Sequence, residues 1–203
     1  VDKMGTDLSV VNAARVSYAG HKDVMDAKDE KLISFLAKHN HWSPFSHASL
    51  QFRISAPIFV ARQLVKHQVG LSWNEVSRRY VSYKPDLYAI KEWRGKPKDS
   101  KQGSAGIVEL SKDDEMMYAS TMIACEELYQ RLLDLGIAPE QARAVLPQSM
   151  MTEWYWSGSL YAFARVCNLR CAKDTQLETQ MVANQIDSIC AKEFPISWKY
   201  LRV

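Results

Sequence analysis

The stretch from Leu50 to Tyr80 constrains the fold more than any other part of the chain. Apolar residues alternate with polar ones at Leu50, Phe52 and Ile54, and this period of two predicts a half-buried β-strand. Pro57 then stands where a helix can begin, and the apolar residues after it follow helical spacing. The sequence therefore predicts a strand that leads directly into a helix.

One polar side of that helix leads into a dense run of hydrogen-bonding groups. Arg62 with Lys66, and Gln63 with His67, are spaced four residues apart and would form two adjacent columns. Residues 69–71 are expected to end the helix, and polar residues continue beyond them in a turn. A solvated helix face is one interpretation. Because polar groups are costly to bury without partners, a bound nucleotide-like anion is the other.

Further elements follow from the same periodicities. Helical spacing predicts helices over residues 7–18, 29–40, 111–135, 160–171 and 175–194. Asp7 is expected to cap the first of these helices, and Pro195 to end the last. The aromatic-rich stretch Met150–Ser157 predicts a second strand. Residues 84–110 are rich in glycine, proline and lysine, which predicts a surface excursion from a single domain spanning residues 1–203.

Composition narrows the possible classes of function. No apolar run in the 203 residues reaches the roughly 18 residues that span a bilayer, so no membrane partner is expected. The net charge of +3 is too small to indicate nucleic acid, although the lysine-rich 84–110 stretch keeps a nucleic-acid module as an alternative. The start shows no signal-peptide pattern and the four cysteines suit reduced core positions, which predicts a cytoplasmic protein.

Several familiar site patterns are missing or weak. Neither a GxGxxG nor a GxxxxGK[ST] run occurs, so a flavin or nicotinamide would be held by side chains and helix ends. His39, His41 and His47 fit no common zinc spacing, and no metal site is predicted. Cys167 and Cys171 are spaced for a redox pair, but their apolar helix stripe favours packing.

Arginines in and after the polar run are the best candidates for binding phosphate. A guanidinium group makes bidentate contacts with phosphate oxygens, which an ammonium group cannot. Any one of these arginines alone is more typical of a surface ion pair, so the argument rests on their occurrence together with Gln63, Asn74 and Glu75. The candidates are Ser77, Arg78, Arg79, Arg143 and Arg170.

The polar run resembles the motif of flavin-dependent thymidylate synthases, which reads R-H-R-x-x-S-x-N-E-x-S-x-R. The corresponding residues here are Lys66-His67-Gln68, Ser72, Asn74-Glu75, Ser77 and Arg79. The resemblance extends in order along nearly the whole chain, apart from residues 84–110. It includes the segments 5–9, 13–17, 39–45, 56–63, 142–147 and 168–170.

Four features depart from the family pattern. Lys66 and Gln68 stand where the motif has arginines, and three residues rather than two precede Ser72. Lys66 keeps the charge without the guanidinium fork, whereas Gln68 keeps hydrogen bonding without the charge. Ser159 stands where family members often have asparagine. These departures concern flavin contacts more than the reaction.

The resemblance implies roles for individual residues. Arg170 is implied to be catalytic, by stabilising the ionised N3 of the uracil of dUMP. His41 is implied to lie in the segment that lines the folate and nicotinamide site. The residues implied to contact dUMP are Gln63, Leu64, Val65, Lys66, Glu75, Val76, Ser77, Arg78, Arg79, Arg143 and Arg170. Those implied to contact FAD are Ser43, Lys66, His67, Gln68, Glu75, Ser159, Leu160, Tyr161 and Arg165.

The resemblance also implies a reaction and an architecture. dUMP would be methylated reductively to dTMP, with methylenetetrahydrofolate as the one-carbon donor, FAD as the redox cofactor and NADPH as the reductant. The implied fold is α+β (mixed α/β), with a central, mostly antiparallel sheet flanked by long helices and with a helical subdomain. The implied assembly is a homotetramer with shared sites. A flavin- or nucleotide-binding protein that lacks synthase activity is the alternative.

Overall fold

The computed structural model describes residues 2–99 and 103–202, which form four strands, eight α-helices and three short 3-10 helices. The strands are β1 (Asp2–Met4), β2 (Ser49–Pro57), β3 (Leu71–Glu75) and β4 (Met151–Ser159). The α-helices are α1 (Asp7–Arg15), α2 (Ala27–Lys38), α3 (Ile58–Leu64), α4 (Lys112–Asp134), α5 (Pro139–Ala142), α6 (Leu160–Arg170), α7 (Leu177–Glu193) and α8 (Pro195–Leu201). The 3-10 helices are Val16–Tyr18, Ser43–His47 and Arg143–Val145.

The strands form one antiparallel sheet in the order β1-β2-β4-β3. In the pairing of β1 with β2, Lys3 lies opposite Leu50. Alternation along β2 buries Leu50 and Phe52, and alternation along β4 buries Trp154 and Trp156. The predicted mixed α/β fold with an antiparallel sheet is therefore confirmed, as are both predicted strands.

The described chain divides into two compact units. The first unit contains residues 2–53, 66–73 and 155–202, and the second contains residues 54–65, 74–99 and 103–154. The divisions fall within strands β2, β3 and β4, so each of these strands contributes residues to both units. No helix within the described ranges has the length and apolar character that crossing a lipid bilayer requires.

The core of the first unit is aromatic and aliphatic. Phe163 of α6 packs edge-on against Phe52 and Trp156, with ring centroids 4.9 and 5.4 Å apart. Val10 of α1 and Ile33 of α2 are fully buried in the same unit. Close packing of these large side chains fixes the position of α6, which carries several of the predicted site residues.

The second unit contains α3, α4 and α5. The long helix α4 begins as predicted, because the Ser111 Oγ accepts a hydrogen bond of 3.1 Å from the Asp114 backbone N–H. It ends before Gly136, whose φ of 81° lies in the left-handed region that suits glycine. Of the 23 residues of α4, only Tyr129 is buried.

Residues 84–99 and 103–110 of the excursion belong to none of the helices and to none of the four strands. Part of the segment is nevertheless attached to the start of β4. The Tyr88 N–H donates to the Ser149 carbonyl at 2.7 Å, and the Met151 N–H donates to the Asp86 carbonyl at 2.8 Å. Residues 100–102, which also belong to the predicted excursion, lie outside the described residues.

One prediction about the start of the chain is wrong, and one is confirmed with shifted bounds. Thr6, not Asp7, is the N-cap of α1. Asp7 is instead buried and accepts backbone hydrogen bonds from Ile196 and Ser197 in the first turn of α8, at 3.0 and 2.7 Å. The predicted helix over residues 29–40 is present and runs from Ala27 to Lys38, and its Phe35 is 51% exposed.

Three predicted features later in the chain also differ from the structure. Helix α3 ends at Leu64, so Lys66 and His67 lie in a turn and the two predicted polar columns do not form. The polar turn expected after residues 69–71 contains the strand β3. Helix α7 ends at Glu193, just before Pro195 as predicted, but it is not the last helix. Pro195 occupies the first turn of α8, where its missing N–H costs no hydrogen bond.

Candidate active site

The first unit holds a basic cluster along α6 and in the turn that follows α3. Ser159 caps α6, because its Oγ accepts a hydrogen bond of 3.2 Å from the Ala162 N–H. This cap begins the helix directly after β4. Arg165 and Arg170 both follow on the same helix.

Close backbone approach holds the turn over residues 66–70 against the start of α6. Gly70 has a φ of 77°, and a Cβ added there would lie 3.1 Å from the Ala162 Cβ. The Gly70 carbonyl accepts a hydrogen bond of 3.2 Å from the Ser159 N–H. Gly158 is tighter still, since a Cβ there would lie 2.6 Å from the Gly70 oxygen. Glycine at these two positions lets the turn reach α6.

His67 is the member of this turn that contacts α6 through its side chain. The Arg170 Nε–H donates a hydrogen bond of 2.9 Å to the His67 Nε2. Burial lowers the pKa of His67, and the positive charges of Arg170 and Arg165 lower it further. His67 is half-buried, whereas Lys66 and Gln68 on either side of it are exposed.

The other residues of the first unit predicted to bind FAD or folate differ in accessibility. Ser43 and His41 are exposed, and Tyr161 is half-buried. Leu160 is fully buried and donates its backbone N–H to the Ala48 carbonyl at 2.8 Å. The Leu160 side chain is therefore part of the core rather than of a ligand surface.

A second group of predicted residues follows β3 in the second unit. The Val76 N–H donates to the Glu153 carbonyl at 2.9 Å, and the Thr152 hydroxyl donates to the Glu75 carboxylate at 2.8 Å. Thr152 was not predicted as a site residue. Its signal in the sequence is a polar side chain at a position where the alternation of β4 places buried residues.

The turn over residues 77–83 places the side chains of two adjacent arginines in different environments. Arg78 is buried, donates to the Tyr83 carbonyl and lies 4.4 Å from the centre of the Tyr83 ring. Arg79 is exposed, and its Nε donates to the Ser77 hydroxyl at 3.3 Å. Arg78 thus stabilises the turn, while Arg79 is presented to solvent.

The remaining residues predicted to bind dUMP also belong to the second unit. Arg143 is exposed, and its Nε donates to the Glu140 carbonyl at 3.2 Å. Gln63 and Val65 are half-buried beside Leu64, which is fully buried. As with Leu160, the side chain of Leu64 is therefore part of the core.

Comparison with known proteins identifies the family. Residues 1–196 match the family described as "Thymidylate synthase complementing protein". The chain belongs to this family. The flavin-dependent thymidylate synthase of Kosmotoga olearia is 38% identical over 201 residues, which are 98% of this chain and 86% of that protein. The enzyme of the same name from Thermus thermophilus is also 38% identical over 201 residues, which are 98% of this chain and 72% of that protein.

Two solved structures also resemble this chain over nearly its whole length. The UMP/dUMP methylase PolB from Streptomyces cacaoi, bound with 5-Br dUMP, superposes with a TM-score of 0.85 at 33% identity, covering 98% of this chain and 92% of that chain. Its complex with 5-Br UMP gives a TM-score of 0.83 at 33% identity, covering 98% and 90%. The predictions of the flavin-dependent thymidylate synthase family and of an enzyme are therefore confirmed.

The cysteines of this family member are poorly suited to nucleophilic catalysis. Cys167 and Cys190 are fully buried, and burial raises the pKa of each thiol far above its ordinary range. Burial also raises the pKa of the half-buried Cys171. Since the thiolate is the nucleophilic form, the raised pKa values disfavour attack by these three thiols. Cys167 serves packing as predicted, whereas Cys171 is the C-cap residue that follows α6.

The histidines near the 3-10 helix over residues 43–47 lie beside an aromatic side chain. The Phe35 ring centroid lies 4.2 Å from that of His39 and 5.8 Å from that of His41. The His39 Nδ1 lies 2.9 Å from the Phe35 carbonyl oxygen. In the part of the chain that the structure describes, no group of three or more His, Cys, Asp and Glu residues could hold a metal ion.

Proposed function

We propose that this chain methylates dUMP reductively to dTMP, with methylenetetrahydrofolate as the one-carbon donor, FAD as the redox cofactor and NADPH as the reductant. The observation that carries the proposal is the family match over residues 1–196. Curated relatives named flavin-dependent thymidylate synthase cover 98% of the chain. A structural neighbour bound to a brominated dUMP supports the substrate class.

Arg170 is the proposed catalytic residue. Its guanidinium group would stabilise the negative charge at N3 of the ionised uracil, which raises electron density at C5. Stabilisation by one preorganised donor is worth about 3–4 kcal/mol in other enzymes. This electrostatic activation suits a chain whose buried thiols have raised pKa values and cannot attack C6 as thiolates.

The nucleotide-binding residues proposed for dUMP divide by the kind of contact they can make. Arg79 and Arg143 are exposed cations suited to the phosphate, with Lys66 as a third. The burial of Arg78 assigns its side chain to the turn rather than to the ligand. Backbone or partly buried atoms would make the other proposed contacts, those of Gln63, Leu64, Val65, Glu75, Val76 and Ser77.

The proposed flavin site uses the basic cluster of the first unit, together with Glu75. Exposed cationic and hydrogen-bonding groups on α6 and in the turn packed against its start fit an anionic dinucleotide. Lys66, Gln68 and Arg165 are exposed, and the half-buried Ser159 marks the helix start. Further proposed contacts come from Ser43, His67, Leu160 and Tyr161. When bound, the flavin would supply the reducing equivalents that complete the methyl group.

His41 is proposed to contact the folate or the nicotinamide. It is exposed and lies near Phe35 and Trp42, which are 51% and 57% exposed. Flat aromatic rings at the surface suit stacking by a planar heterocycle. This arrangement supports the assignment of His41 to the co-substrate region.

We propose a homotetramer in which the two units act as one catalytic domain. The outward side of α4 carries exposed apolar side chains among polar ones, since Met116, Met117 and Ile123 are 65%, 63% and 53% exposed. Exposed apolar patches of this kind mark interaction surfaces. A cytoplasmic location is also proposed, supported by four cysteines that are all free thiols.

The test of the function is the variant Arg170→Ala. We expect turnover, measured as tritium release from C5-labelled dUMP, to fall about 100- to 1,000-fold, since one preorganised donor is lost. The visible flavin spectrum should persist. Lys31→Ala, which removes an exposed cation of α2, is the matched control and should turn over normally. Near-normal turnover of Arg170→Ala would contradict the catalytic role.

UMP is a second candidate substrate. The neighbour PolB is described as a UMP/dUMP methylase, and its structure is known with analogues of both nucleotides. Initial rates with UMP and dUMP at equal concentrations decide between the two. A rate with UMP equal to or above that with dUMP would reverse the assignment. Flavin binding without turnover of either nucleotide would favour the alternative of a binding protein.

A further inference from the structure

We propose that His67 is a positioning residue that orients the Arg170 guanidinium group and makes its orientation depend on pH. The two residues are 103 positions apart in sequence and are joined by a hydrogen bond of 2.9 Å from the Arg170 Nε–H to the His67 Nε2. The inference rests on the proposed function, because the value of orienting Arg170 depends on its role toward the uracil ring.

The direction of this hydrogen bond determines the state of the imidazole. The arginine Nε always carries its hydrogen, so the His67 Nε2 must supply a lone pair. His67 is therefore neutral, with its proton on Nδ1. The bond engages only the Nε–H of Arg170, and His67 leaves the terminal Nη groups to point elsewhere. A fixed Nε–H sets the plane in which those terminal donors lie.

The surroundings of His67 favour this neutral state. Burial and the cations Arg170 and Arg165, both on α6, lower the pKa of His67 below its ordinary value of 6.5. Lys66 adds a cation next to it in sequence. Above this pKa the imidazole accepts the bond. As the pH falls below it, a protonated His67 cannot accept and repels the guanidinium group, so Arg170 is released.

The contact can be tested without any turnover. In protein with 15N-labelled histidine, long-range proton–nitrogen NMR spectra should show the Nδ1–H tautomer for His67, assigned by its loss in His67→Gln. The pKa of His67 should rise toward 6.5 in Arg170→Gln, because one of the charges that lowers it is removed. In Lys31→Gln the pKa should stay unchanged. An Nε2–H tautomer, or an unchanged pKa in Arg170→Gln, would overturn the inference.

The effect on catalysis separates positioning from folding. His67→Leu removes the acceptor, and we expect kcat per bound flavin, measured at saturating FAD, to fall about tenfold at pH 8. His67→Gln restores a neutral acceptor, so it should recover part of that loss and should lack the acidic limb that His67 gives the wild-type rate profile. Equal rates of the two variants at every pH would overturn the inference.

Failure of the proposed function gives a different result. If Arg170→Gln raised the pKa of His67 yet turned over normally, the contact would exist but Arg170 would have no catalytic role. That outcome overturns the catalytic role of Arg170 and the positioning role together. The absence of any dUMP turnover by the wild-type protein, by contrast, would overturn the proposed function whatever the pKa of His67 does. If Arg170→Gln abolished turnover but left the pKa of His67 unchanged, the proposed function would stand and the inference alone would fail.

Discussion

Asp29 shows how one charged residue organises the loop that links α1 and α2. Its carboxylate is fully buried and accepts hydrogen bonds from Arg15 at 2.6 Å, from Lys22 at 2.8 Å and from the Asp26 N–H at 2.9 Å. Burial alone would raise the pKa of Asp29, but these donors outweigh it and lower the pKa to about 2. The residue therefore stays ionised across the physiological range.

Because of this lowered pKa, the free energy of unfolding is expected to decrease at low pH. Because Asp29 binds protons less readily when folded, its contribution is complete above about pH 4, the unfolded pKa, and is lost as the pH falls toward 2. We expect Asp29→Asn to lower the free energy of unfolding by about 2–3 kcal/mol at pH 7 in urea titrations. Asp23→Asn, at an exposed position, is the control. Equal stabilities of these variants at pH 7 would contradict the account.

Asp7 acts on a helix at the other end of the sequence. It accepts backbone hydrogen bonds from Ile196 and Ser197, so it caps α8 although it lies in α1. Asp7→Ala should lower the free energy of unfolding by about 1–2 kcal/mol, the usual effect of losing a cap. Thermal denaturation measures this, with the exposed Asp2→Ala as control. A melting temperature no lower than that of the control would refute the role.

At the scale of elements, Gly158 decides how closely β3 and the turn before it approach β4. A Cβ at this position would lie 2.4 Å from the Leu71 Cδ2 and 2.6 Å from the Gly70 oxygen. We expect Gly158→Ala to cost about 1–3 kcal/mol of stability by overpacking. It should also weaken flavin binding, since the displaced turn carries Lys66, His67 and Gln68.

The matched control for that substitution is Gly106→Ala. A Cβ added at Gly106 meets no atom within 4 Å, so the change should leave stability and flavin affinity unaltered. Urea titration and flavin titration measure the two quantities. Flavin binding by Gly158→Ala as tight as that of Gly106→Ala would show that the turn does not need this close approach.

Local patterns predicted the elements whose signals are confined to a few residues. The alternation of β2 and β4 and the Ser111 cap of α4 are all present. The early end of α3 was not predictable in this way, because the Gly70 backbone packs against α6 and draws residues 66–70 out of the helix. The same limit applies to Asp7 and to the pairing of His67 with Arg170, since distant segments supply their partners.

At the scale of the whole molecule, the long helix α4 has little of its surface covered by its own chain. Its inward side is formed by Tyr118, Met122, Cys125 and Tyr129, at helical spacing, and only Tyr129 is fully enclosed. The opposite side is exposed and includes the apolar side chains of Met116 and Ile123 among polar residues. A second copy of the chain would remove this apolar surface from water, which supports an assembly larger than the monomer.

Ile123→Glu tests that assembly. A charge in the centre of a subunit contact is costly to desolvate, so we expect a smaller particle by sedimentation and at least a partial loss of turnover. Circular dichroism should be unchanged, because Ile123 is 53% exposed within its own chain. Val24→Glu, at another exposed apolar position, is the matched control. An unchanged sedimentation coefficient would remove α4 from the interface.

The buried thiols of α6 and α7 allow the rate of local opening between these two helices to be measured. Iodoacetamide reacts with thiolates, and Cys167 and Cys190 are kept protonated by burial. While these two helices stay packed, the reagent cannot reach either sulfur. The rate of their alkylation, followed by mass spectrometry, therefore reports how often the two helices separate. A ligand that slows alkylation stabilises the state in which the helices are packed.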